Sequence, residues 1–74
     1  MLVYPNPAND QLFIDGFPDT KKISFTIFDL LGKVVIRNSV YENFIDISIL
    51  ESGVYFIQMN DEENISTVKF IKVN

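Results

Sequence analysis

The sequence predicts a small all-β fold: a sandwich or barrel of six short strands with a possible seventh. Three observations lead there. β-rich runs recur between turn signals at roughly the 8–12-residue spacing of such folds. No segment carries a convincing helical period. The 74 residues are 47% hydrophobic, with seven Phe and three Tyr, enough to build a core without disulfides or metal. A chain of this length buries only about 60% of its unfolded surface on folding, so each large apolar residue is expected to have a structural job.

Leu2–Tyr4 reads as a first edge strand, stopped by Pro5 and Pro7, which have no N–H to give a ladder. Gln11–Asp15 follows with Leu12 and Ile14 on one face, and Gly16-Phe17-Pro18-Asp19 has turn composition. In Ile23–Phe28, Ile23, Phe25 and Ile27 point inward, and Phe28 points the other way. Asp29-Leu30-Leu31-Gly32 reads as a four-residue turn with Gly where positive φ is needed. Lys33–Val40 is its hairpin partner. Phe44–Ile49 alternates, with Ile45, Ile47 and Ile49 inward, and Leu50-Glu51-Ser52-Gly53 forms the next corner. Val54–Asn60 is apolar on both faces, as a central strand is expected to be. The acidic loop Asp61-Glu62-Glu63-Asn64 leads to the last strand, Ile65–Val73.

Composition excludes much chemistry. With no Cys and no His, thiol catalysis, disulfides, Cys-ligated zinc and the commonest general base are gone. A net charge of −4 with only six Lys and Arg argues against nucleic acid, whose phosphates need clustered cations. No apolar run nears the roughly 18 residues that span a bilayer, so membrane insertion is not expected. Met1 sits directly on Leu2-Val3-Tyr4-Pro5, as a start codon placed at a domain boundary would, and a longer parent is expected upstream.

The remaining constellations favour bland readings. Asp61, Glu62, Glu63 and Asn64 offer oxygens, but adjacent residues at a hairpin tip converge poorly on calcium, and EF-hand spacing is absent. Asp29 and Asp46 lack any spacing that marks a glycosidase pair; Asp29 opens a turn whose N–H groups its carboxylate can accept. Asn64-Ile65-Ser66 matches a loosely specified glycosylation sequon. There is no Trp, most Phe alternate into the expected core, and Tyr4, Phe17, Tyr41 and Phe44 are the aromatics left for a carbohydrate surface. Lys69 and Lys72 lie on opposite faces of the last strand, and edge lysines also guard against aggregation. No catalytic residue, metal site or cofactor site is expected.

Read in order, Tyr4-Pro5-Asn6-Pro7-Ala8, Leu12-Phe13-Ile14, Ile27-Phe28-Asp29-Leu30-Leu31-Gly32-Lys33-Val34-Val35, Ile47 to Ile57 with its Gly53-Val54-Tyr55, and Lys69-Phe70-Ile71-Lys72-Val73 resemble the C-terminal sorting domain of the type IX secretion system, the Por secretion tail. The resemblance spans essentially the whole chain, although Glu51-Ser52 precede Gly53 where the family often has Pro.

It implies a seven-stranded immunoglobulin-like antiparallel β-sandwich, residues 1–74 being a single sorting domain at the end of a longer cargo protein. Its function would be a non-catalytic signal that sends Sec-exported cargo from the periplasm through an outer-membrane translocon to the cell surface or medium. Its partners would be type IX secretion machinery proteins, a sortase-like protease that removes the domain, and the N-terminal cargo in the same chain. The resemblance assigns recognition to Gly53, Tyr55, Lys69 and Lys72, and the structural turns to Pro5, Asn6, Pro7, Asp29 and Gly32. The last strand is expected to leave its outer edge open for strand addition by a partner. At Gly53 a β-carbon is expected to hinder the corner, and Tyr55 to pack its ring while its hydroxyl finds a partner. The alternative is a carbohydrate-binding or adhesive β-sandwich appended to a secreted hydrolase, since this architecture hosts many functions.

Overall fold

The computed structural model describes residues 2–16, 22–40, 42–60 and 65–74. Among these the chain forms strands β1 (Leu2–Tyr4), β2 (Gln11–Asp15), β3 (Ile23–Asp29), β4 (Val34–Val40), β5 (Phe44–Asp46), β6 (Gly53–Asn60) and β7 (Ile65–Lys72). They make two antiparallel sheets, β1-β2-β5 and β4-β3-β6-β7. The expected turn over Phe17–Asp19, the acidic loop over Asp61–Asn64, and the candidate aromatics Phe17 and Tyr41 lie outside the described residues.

Period-two alternation builds the core, because successive strand side chains point to opposite faces. Leu12, Ile14 and Ile45 come from the smaller sheet, and Ile23, Phe25, Ile27, Ile57, Met59 and Phe70 from the larger; all are buried in one cluster. The two inner faces therefore pack as a β-sandwich.

β3 and β4 meet at the Asp29–Gly32 turn, which forms as its composition implies. Asp29 Oδ1 accepts the N–H groups of Leu31 and Lys33, both at 2.9 Å. Gly32 donates its N–H to the Asp29 carbonyl at 3.0 Å with φ of 86°, a left-handed backbone that glycine adopts without strain. The register slips by one between Ile27↔Ile36 and Phe28↔Val34, so Val35 is an extra residue at a β-bulge beside the turn.

One alternating run does not continue as expected. β5 stops at Asp46, and Ile49 is 78% exposed while Leu50 is buried. The Asp46 carboxylate accepts the Ser48 N–H at 2.9 Å, and Leu50 donates to the Ile47 carbonyl at 3.0 Å. This side-chain-capped turn shifts the register by one and sends Leu50 inward in place of Ile49.

Candidate recognition site at the terminal strand

β7 is the outermost strand of the four-stranded sheet, paired to β6 along its length from Gly53↔Lys72 to Asn60↔Ile65. Its inward positions near the C-terminus are Phe70, fully buried, and Lys72 at 2% exposure. Lys69 and Ile71 face outward and are exposed. The two lysines thus lie on opposite faces, as their spacing requires.

Tyr55 of β6 is the register partner of Phe70. The two rings stack with centroids 5.6 Å apart and planes 23° from parallel. The Tyr55 hydroxyl donates to the Glu51 carbonyl at 2.8 Å, which ties the corner before β6 to the ring that supports β7. This is the polar handle a buried tyrosine needs.

Gly53 departs from the expectation placed on it. Its backbone is not in the left-handed region, since the positive-φ glycines are Gly16 and Gly32. A β-carbon there would meet Tyr55 Cε2 at 3.7 Å, ordinary van der Waals contact. What Gly53 does is leave no side chain on the inward row opposite Lys72.

Lys72 is buried, and its Nζ donates to the Val73 carbonyl at 3.3 Å and to Asn74 Oδ1 at 3.0 Å. Both acceptors are neutral, so the ammonium is held by dipoles of the two residues that follow it. Among the described residues no buried side-chain nitrogen or oxygen lacks a partner. The aliphatic stem contributes packing and the head is satisfied at the end of the sandwich, the usual way a long cationic side chain is buried.

The outer edge of β7 is not fully open, contrary to the sequence expectation. Asn6 Oδ1 accepts the Ile71 N–H at 2.9 Å and Asn6 Nδ2 donates to the Lys69 carbonyl at 3.4 Å. Ala8 continues the ladder: its N–H donates to the Ile71 carbonyl at 2.7 Å, and its carbonyl accepts the Val73 N–H at 2.8 Å. Ala8 is completely buried and bridges Lys72 in parallel. Pro5, Asn6 and Pro7 are therefore more than a strand stop, for they deliver Asn6 and Ala8 to the last strand.

The other candidates are committed elsewhere. Asp29 and Asp46 each spend a carboxylate oxygen on backbone N–H groups, and among the described residues no acidic cluster is arranged to hold a metal. The backbone and side-chain hydrogen bonds from Ser48 hold the Asp46 carboxyl below its usual range. Tyr4, Phe13 and Phe44 line up in register across β1, β2 and β5; Tyr4 stacks on Phe13 at 5.6 Å and Phe13 tilts against Phe44 at 6.4 Å. Phe13, whose place between Leu12 and Ile14 gives it the face opposite the core, is not among the aromatics that the sequence leaves for a surface. Tyr4 and Phe13 turn their rings toward each other, the pattern of cross-strand aromatic pairs and not of a flat sugar platform.

Comparison with known proteins agrees with this architecture. Residues 2–74 match the family described as the secretion system C-terminal sorting domain. Beta-agarase D of Zobellia galactanivorans is 32% identical over 59 residues, which cover 80% of this chain and 12% of the agarase. The chain thus spans about an eighth of that relative's length. A solved structure of PorZ, a surface component of the type IX secretion system of Porphyromonas gingivalis, superposes with a TM-score of 0.65 at 19% identity, over 99% of this chain and 11% of PorZ. That likeness concerns the fold. The family match over nearly every residue settles membership: the chain belongs to the secretion system C-terminal sorting domains, the type IX signals that send secreted cargo to the cell surface or medium.

Proposed function

We propose that residues 1–74 act as one non-catalytic signal that carries an upstream cargo from the periplasm through the outer-membrane type IX translocon, and that a sortase-like protease then removes the domain. Direct recognition falls to the terminal strand. The observation that supports this is how the strand is presented: Lys69 is exposed on the outer face while Lys72 is buried and bound to Val73 and Asn74. Lys69 offers its charge to a partner, and Lys72 fixes the path of the last residues. Gly53 and Tyr55 serve recognition through β7, Gly53 by leaving the row beside Lys72 empty and Tyr55 by stacking on Phe70.

A test joins residues 2–74 to a periplasm-directed reporter in a bacterium that has this secretion system. The reporter is expected at the surface or in the medium, and mass spectrometry of the exported product is expected to show the domain cut away. A reporter retained in the periplasm contradicts the sorting role. An exported product that keeps all of residues 2–74 contradicts removal.

A further inference from the structure

The hydrogen bonds on the outer edge of β7 divide it into two stretches. From the Lys69 carbonyl onward the edge is occupied: Asn6 presents a side-chain amide that accepts from one backbone N–H and donates to a backbone carbonyl, as the peptide unit of a neighbouring strand does, and Ala8 adds its own N–H and carbonyl. The outward groups all belong to Lys69, Ile71 and Val73. Because backbone direction alternates along a strand, the N–H and carbonyl of Ile65 and Thr67 and the N–H of Lys69 point to the same side. β7 is last in its sheet, and beyond Asn6 its edge continues as a row of these groups.

We propose that this stretch, Ile65 to the Lys69 amide, is a strand-acceptor site, and that Asn6 is the fence that ends it and so fixes the register of the incoming strand. This rests on the sorting role proposed above and names what that role engages. The occupant is an extended segment of a type IX machinery protein. Strand addition supplies affinity through main-chain bonds and specificity through the flanking side chains. On the outer face Ile65 is 67% exposed and Lys69 is exposed, so the segment carries an apolar residue beside Ile65 and a carboxylate beside Lys69, the cross-strand pairing that opposite charges favour. A one-residue slip would reverse every side chain of the incoming strand, and a fixed stop at Asn6 prevents it.

The test exploits proline, which is tolerated on an edge strand when its missing N–H faces outward. Thr67→Pro deletes one donor of the acceptor site and leaves the β6–β7 ladder intact; Ile65→Pro deletes the next one; Thr67→Val keeps the donor and the β-branched shape. All three are made in the exported reporter fusion, and their melting temperatures are measured on the 74-residue chain. The expected result is at least a tenfold loss of export for a proline variant that melts near the parent temperature, with Thr67→Val within about twofold of the parent. Ile65→Pro carries the test if Thr67→Pro does not fold. Parent-level export of a folded proline variant overturns the acceptor site and leaves the sorting role standing. An intact fusion that is never exported overturns the sorting role and the acceptor site with it. The 74-residue chain is expected to be monomeric in sedimentation; a dimer that Thr67→Pro dissolves assigns the edge to a second copy and overturns the machinery segment as its occupant.

Discussion

Tyr55 stacks on Phe70 across the β6–β7 pair, with ring centroids 5.6 Å apart, while its hydroxyl reaches back to the Glu51 carbonyl at 2.8 Å. One side chain thus braces the terminal strand and anchors the corner that begins its neighbour. Tyr55→Phe keeps the stack and removes the hydroxyl bond, so it is expected to cost about 1 kcal/mol, the usual net worth of such a hydrogen bond. In a domain of this size that lowers the melting temperature by roughly 4–8 °C, which calorimetry would resolve. An unchanged melting temperature would show that the corner does not depend on the hydroxyl.

Gly53→Ala is expected to fold and to melt at or slightly above the parent temperature. The added β-carbon meets the Tyr55 ring at an ordinary 3.7 Å, and alanine gives up less chain entropy than glycine on entering a strand, by roughly 0.5–1 kcal/mol. Thermal unfolding followed by circular dichroism checks this, and a marked drop would mean that the inward row beside Lys72 has no room for a methyl group.

The lysines are expected to separate by experiment. Lys69→Ala removes an exposed side chain, so it should leave the melting temperature unchanged and reduce export. Lys72→Met keeps most of the apolar stem but deletes the donor to Val73 and Asn74. Its effect should appear as faster backbone motion at residues 73–74 in NMR relaxation, with smaller loss of export. Equal export by both variants and the parent would remove the lysines from recognition.

Asp46 gives a pH signature. Hydrogen bonds from Ser48, the backbone one first, hold its carboxyl below the usual range. The folded state therefore binds that proton less readily than the unfolded state. The associated stability is present above the ordinary aspartate pKa of about 3.9 and fades as pH falls through the depressed folded value. The group is fully exposed, so the contribution is small. Ser48→Ala retains the N–H and should raise the Asp46 titration midpoint only part of the way, as read from its side-chain carboxyl carbon by NMR.

Much of this fold is legible locally. The Asp29–Gly32 turn can be read because its determinants, an acceptor at its start and a glycine at its end, are close in sequence, and the inward sets Leu12/Ile14 and Ile23/Phe25/Ile27 follow from period two. Ile49 faces solvent, against its alternation, because the Asp46 carboxylate caps a turn that ends the strand, and alternation alone gives no sign of such a cap. The candidate site was half visible. Opposite faces for Lys69 and Lys72 follow from spacing, but spacing gives no sign that Lys72 is buried with its ammonium bound to Val73 and Asn74. The hold of Asn6 on Ile71 joins residues 65 apart, and no local pattern encodes that pairing.

The proposed sorting signal includes the terminal strand. This is tested most directly by exporting a reporter joined to residues 2–74 beside one joined to residues 2–68, after both fusions are shown to accumulate equally in the cell. Surface or medium signal from the first and its loss from the second is the expected result. Equal export of both would contradict the account.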